Sequence, residues 1–205
     1  MLNAFFYSIR FFYLPFTVVL LLTGCQKRED GPRRFLFLGH PYDWAAEDQI
    51  DPRLERLDYH PYEEIWLGGD VCARTAKAPG TMDYLDSIFG LQRTRWALGN
   101  HDWDYGARSN VLSRLPDPPF YTVWMDGFTL TVLNTNLFWY YNSVPPQENC
   151  AQKAAQWRML QDVADTLQAS THWVILHHHA LLNELKVDKE GMPAQAFNVN
   201  AMAIR

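Results

Sequence analysis

Short apolar runs that stop at glycine punctuate the chain. Arg34-Phe35-Leu36-Phe37-Leu38-Gly39 is apolar at alternate positions of both parities, which predicts a strand covered on both faces. Glu64-Ile65-Trp66-Leu67-Gly68-Gly69 and Thr94-Arg95-Trp96-Ala97-Leu98-Gly99 predict two more strands. Between the first two, Asp51-Pro52 gives a cap and a proline at the first helical position, with Leu54 and Leu57 on one face. Before the third, Thr81 predicts the cap of a helix through Tyr84, Leu85, Ile88 and Phe89 that stops at Gly90. The pattern then changes to β-formers, 121–125 and 128–133, around Asp126-Gly127, a hairpin signature. Residues 147–168 place Ala154, Trp157, Leu160, Val163 and Leu167 at helical spacing. Trp173-Val174-Ile175-Leu176 predicts a last strand. This order predicts an α/β layered domain rather than a helix bundle.

The runs share a second property. They lead into polar clusters: His40, Asp70, Asn100-His101-Asp102 and His177-His178-His179. In open α/β sheets, ligands bind beyond the carboxyl ends of the strands, so the four clusters are expected on one rim. Their donors are imidazoles, carboxylates and an amide oxygen, without cysteine. Such a set suits zinc, manganese or iron rather than a soft thiolate-bound ion. Asp70 follows two glycines, which let backbone and ion approach closely, and so it suits a bridging position. Two ions about 3.5–4 Å apart would hold a hydroxide and clamp a phosphoryl group for in-line attack.

Composition changes this picture little. The chain has 205 residues, of which 48% are hydrophobic and 15% aromatic, which excludes a disordered polar chain. A net charge of −5 gives no global basic field, and nucleic acid is not an expected partner. The eight tryptophans are expected mostly in the core, with Trp44 and Trp103 as candidate walls of a substrate cleft. His60 and His172 lack companions and are read as surface residues.

Gly68-Gly69-Asp70, Gly99-Asn100-His101-Asp102 and Ile175-Leu176-His177-His178-His179, in this order and spacing, resemble the calcineurin-like metallophosphoesterase family over roughly residues 33–180. The resemblance implies an α/β/β/α sandwich and hydrolysis of phosphate mono- or diesters by a hydroxide held at two divalent or mixed-valence ions (Mn, Fe or Zn). It implies that Asp70 bridges the ions and that Asn100 ligates the second. His101 is then placed near the scissile phosphate, stabilising it or protonating the leaving group, with Asp102 holding the His101 imidazole. His178 is the implied ligand of the histidine run and His179 its neighbour, although a shift of one residue within His177–His179 fits the same pattern.

Two departures accompany the resemblance. The family's first motif is Asp-x-His, whereas this chain reads Gly39-His40-Pro41-Tyr42-Asp43. His40 then stands for the aspartate and Tyr42 for the histidine, with Asp43 a spare carboxylate. The family's last motif, Gly-His-x-His, has no counterpart, because no histidine follows His179. The expectation is therefore a domain over residues 34–205 whose C-terminal strands are missing. The alternative is a catalytically inactive envelope lipoprotein that keeps the fold as a binding module.

The N-terminus reads as an address. Arg10 precedes an apolar run from Phe11 to Leu22, too short for a comfortable span. Leu22-Thr23-Gly24-Cys25 resembles the lipobox of bacterial lipoproteins. That implies a signal peptide over residues 1–24, lipidation at Cys25, a tether over 25–33 and attachment to a membrane of a bacterial cell envelope. Cys72 and Cys150 then remain, either as a disulfide or as two independent buried thiols. Substrate, metal identity and oligomeric state are left open by the sequence.

Overall fold

A computed structural model describes residues 33–138, 147–167 and 172–178. Cys25 and His179 lie outside these residues, as does Trp139. The first sheet contains β1 (Phe35–Leu38), β2 (Glu64–Leu67) and β3 (Thr94–Trp96), all parallel and in the order β1-β2-β3. The second contains β4 (Tyr121–Met125), β5 (Phe128–Val132) and β6 (His172–Leu176). The β4–β5 pair is the Asp126-Gly127 hairpin, and β6 runs parallel to β5.

Alternation along β2 explains how the layers assemble. Ile65 and Leu67 turn toward a core shared with Met82, Leu85 and Phe89 of α2 (Pro79–Phe89). Trp66 turns the other way, toward Phe128 of the second sheet, with ring centroids 5.9 Å apart. Leu130, Val132 and Leu176 fill the same space between the sheets. The opposite face of β5 buries Thr129 and Thr131, and there α5 (Gln147–Thr166) completes an α/β/β/α arrangement. Burying each of Leu85 and Phe89 contributes about 2 kcal/mol.

The local signals hold at most boundaries, with informative differences. Asp51 caps α1 (Pro52–Glu55) by accepting from the Arg53 amide. Helix α2 starts at Pro79 rather than at Thr81, because proline suits the first helical position, and Thr81 is buried inside the helix. β1 is apolar on both faces as expected, yet Phe37 is exposed at the sheet edge. On α5 the buried face passes through Asn149, Gln156, Leu160 and Val163, whereas Ala154 is exposed. Gln156 fits the interior because its amide exchanges two hydrogen bonds with the Asn134 backbone, at 2.8 and 3.3 Å. Trp44 and Trp124 are exposed, contrary to the expectation of mostly buried tryptophans. Trp103 is fully buried under the Arg108 guanidinium and so does not line a cleft. Cys72 and Cys150 are free thiols. Cys72 is buried, with its pKa pushed up to about 12 by burial and by the charges of Asp102 and Asp48, while Cys150 is exposed.

Candidate metal centre

The centre forms where β2 and β3 end. After β2 the chain turns through Gly69, at φ 87°, into Asp70, at φ 48°. A Cβ on Gly69 would lie 2.6 Å from the Ala97 carbonyl, the Gly99 nitrogen and His178 Nδ1. Positive φ and crowding together select glycine there. Asp70 itself occupies the left-handed region, which a short polar side chain tolerates better than an aliphatic one.

Two buried carboxylates stitch the strand ends together. Asp102 lies in α3 (Asn100–Trp103), directly after β3. Its Oδ2 accepts from the Asp70 amide at 2.8 Å, the Gly99 amide at 2.9 Å and the Trp96 indole at 3.2 Å. Asp70 Oδ1 in return accepts from the His101 amide at 2.8 Å. Gly99 faces this exchange so closely that an added Cβ would overlap the Asp70 carboxylate. Burial and the charge of Asp70 raise the pKa of Asp102, against the pull of its amide donors.

Asp70 Oδ2 points at two imidazoles. His178, beyond β6, places Nε2 3.1 Å away, and His40, beyond β1, places Nε2 3.5 Å away. One ligand atom from each of His40, Asp70 and His178 lies within 4.8 Å of the other two. His178 Nδ1 is 2.6 Å from the Gly68 carbonyl. That carbonyl only accepts, so Nδ1 carries hydrogen and Nε2 is left for Asp70 or a cation. The two histidines respond in opposite directions. Burial lowers the pKa of His178, but the hydrogen bond and charge of Asp70 and the Gly68 carbonyl outweigh it and leave the pKa raised. Burial and the neighbouring His178 lower that of His40 despite Asp70. The closer, more enclosed ring gains most from the one carboxylate.

The remaining candidates are placed less alike. Asn100 is buried at the start of α3, between Gly99 and His101, whose amides serve the two carboxylates. The Tyr42 ring neighbours His40 with centroids 6.0 Å apart, and burial and the Asp70 charge raise its pKa. Asp43 caps its own turn, accepting from the Ala45 amide at 2.9 Å, and does not join the His40, Asp70 and His178 group. The expectation that Asp102 holds the His101 imidazole is corrected. His101 Nδ1 lies 3.0 Å from the Ala73 carbonyl, and Asp102 Oδ2 accepts instead from the backbone amides of both turns.

Two contributors, Tyr105 and Asn136, escaped the sequence reading. Tyr105 stacks on His101, an aromatic four residues along whose spacing was the available signal. Asn136 donates through Nδ2 to the Leu98 carbonyl at 2.9 Å and the Gly99 carbonyl at 3.2 Å, which ties the residues after β5 to the turn after β3. Its signal was a polar residue shortly after an apolar strand, as at the other strand ends.

The donor chemistry fits a hard or borderline divalent ion. Two imidazole nitrogens and a carboxylate oxygen converge, the buried ring is oriented by a carbonyl behind it, and among the described residues no thiol joins them. The family description calcineurin-like phosphoesterase matches residues 34–201. Among solved structures, the chain is similar to a phosphopantetheinyl hydrolase from Mycobacterium tuberculosis, at 17% identity and a TM-score of 0.41. That similarity covers 73% of this chain and 69% of the other. No curated protein matches the sequence. With the family match extending over most of its length, the chain belongs to the calcineurin-like phosphoesterase family.

Proposed function

We propose that this chain is a metal-dependent hydrolase of phosphate mono- or diesters, working at a dinuclear site. His40, Asp70 and His178 would hold the ions, Asp70 between them, with Asn100 on the second; Tyr42 and His179 are further candidates for ion or substrate contact. The observation that supports this most is the meeting of His40, Asp70 and His178 within 4.8 Å from the ends of three strands. When bound, the ions supply positive charge that polarises the phosphoryl group and activates water.

The chain's own groups do the rest. Asp70 fixes the register of the site, because its Oδ1 is tied to the His101 amide while Oδ2 faces the histidines. The Gly68 carbonyl holds His178 with Nε2 inward. His101 keeps one proton on Nδ1, held by the Ala73 carbonyl, and as an imidazolium would pass the second, on Nε2, to the departing ester oxygen. In the net reaction water adds to phosphorus, the ester P–O bond breaks and the departing oxygen takes a proton.

The test is hydrolysis of p-nitrophenyl phosphate and bis(p-nitrophenyl) phosphate by the full chain with and without Mn²⁺. We expect turnover that requires the ion and falls about 10³-fold in Asp70→Asn. Turnover unchanged in that variant contradicts the site. The same reading places the protein in the cell envelope through a lipid on Cys25. Labelling with a fatty-acid probe is expected to vanish in Cys25→Ser, and persistent labelling would refute the anchor.

A further inference from the structure

His101 is held without a carboxylate. The Ala73 carbonyl only accepts, so the 3.0 Å contact puts hydrogen on Nδ1; when the ring is an imidazolium, Nε2 carries the second proton, the one that can pass to a leaving group and leave the neutral Nδ1–H ring behind. With the covalent link through Cβ, this one hydrogen bond at the ring edge constrains the plane of the imidazole less than its position. A second constraint comes from Tyr105, whose ring lies 4.4 Å from the His101 ring, centroid to centroid, at an interplanar angle of 19°.

Tyr105 is itself set in place. Its amide donates to the Asn100 carbonyl at 3.2 Å. The next residue, Gly106, presses so closely on Ala76 that an added Cβ would overlap the Ala76 backbone. The Ala107 amide donates to the Ala76 carbonyl at 3.0 Å, and the Ala76 amide to the His101 carbonyl at 3.3 Å. The Lys77 ammonium lies 5.7 Å from the Tyr105 ring centroid. Residues 73–77 and 101–107 therefore form a frame around the imidazole. The carbonyl of Ala73 meets its edge and the ring of Tyr105 covers its face.

We propose that Tyr105 is a positioning residue, which by stacking on His101 keeps Nε2 aimed at the leaving group of a bound phosphate ester. The inference rests on the phosphoesterase reading of the site. Orientation matters here because proton transfer needs a donor within hydrogen-bond reach of the departing oxygen. An alkoxide requires that proton, whereas p-nitrophenolate departs readily without it. Loss of the stack is therefore felt most by alkyl esters.

The experiment measures kcat and KM of the Mn²⁺-loaded full chain with glycerol 2-phosphate and p-nitrophenyl phosphate. In Tyr105→Ala we expect kcat for the alkyl ester to fall about 10- to 100-fold, with kcat for the aryl ester down less than about 5-fold and KM nearly unchanged. Tyr105→Phe, which keeps the ring, is expected to restore kcat to within about 3-fold. Equal losses for both esters, a loss in KM alone, or failure of phenylalanine to restore the rate would overturn the proposal. Tyr105→Leu supplies a folded comparison that keeps apolar bulk but loses the stacking plane. Ring ¹⁵N spectra of the metal-free chain give a readout independent of turnover. The His101 Nδ1–H signal is expected to be sharp in wild type and Tyr105→Phe and broadened in Tyr105→Leu. A chain that hydrolyses neither ester sinks the phosphoesterase reading, while the spectra still decide whether Tyr105 holds the ring.

Discussion

The two sides of the cation-binding group are held differently. The side chains of Asp70 and His178 are each 5% exposed, and backbone groups fix both: the His101 amide on Asp70 Oδ1 and the Gly68 carbonyl on His178 Nδ1. The His40 side chain is 53% exposed and, besides the 3.5 Å approach to Asp70, meets its surroundings through the rings of Tyr42 and His178. The enclosed side is dictated by main-chain geometry that few residues satisfy. The open side makes fewer demands on residue type. The sequence departs from the family's Asp-x-His pattern on this open side, at His40 and Tyr42, and keeps Gly-Asn-His-Asp on the enclosed side.

The strongest way to break this contrast is Asp102→Ala. It leaves the Asp70 and Gly99 amides and the Trp96 indole without their acceptor in a buried place. A loss of about 3 kcal/mol or more is expected in urea unfolding of the metal-free chain. A change below about 1 kcal/mol would show that the two turns hold without the stitch.

The second prediction concerns pH. Burial works against the ionised Asp70, yet the hydrogen bond and charge of His178 and the His101 amide leave its pKa below the usual 3.8. A lowered acid contributes stability above its unfolded pKa and loses it as pH falls through the folded value. His178 is raised above 6.5, so its contribution is complete below that pH and is lost as pH rises through the folded value. Asp102, also raised, loses its contribution over a more acidic window that opens at 3.8. Stability of the metal-free chain should therefore decline as pH rises beyond 6.5. His178→Gln should flatten that decline, which unfolding midpoints across pH 6–8 will check. An equal slope in both chains would remove His178 from the account.

The smallest effect is expected on the open side. His40→Ala should change stability by no more than about 0.5 kcal/mol and weaken Mn²⁺ binding about 10-fold. A stability loss comparable with that of Asp102→Ala would erase the distinction between the two sides.

Much of this was legible in the chain because the signals are local. Glycine directly follows β1 and β2 and comes, as Gly99, shortly after Trp96 ends β3; Asp126-Gly127 marks the hairpin, and Asp51-Pro52 starts α1. The meeting of His40, Asp70 and His178 followed from strand ends and motif order. What the sequence did not disclose depends on partners far apart in the chain. Asp102 reads as a partner for the adjacent His101, but burial sends its carboxylate to the amide of Asp70, 32 residues away. Ala73 holds His101 through a backbone carbonyl, which no side-chain pattern records. Gln156 looks like a surface residue on a helix and is buried because the Asn134 backbone satisfies its amide. Trp103 beside a motif suggested a cleft wall, yet its indole packs inward beneath Arg108.

Asp70, between His40 and His178, is expected to grip divalent cations. Calorimetric titration of the metal-stripped full chain with Mn²⁺ tests this most directly. Asp70→Asn is the informative variant, because asparagine tolerates the φ of 48° while giving up the charge. Saturable binding is expected in the wild type and should disappear in this variant with its circular dichroism unchanged. Equal Mn²⁺ affinity in the two proteins would contradict this.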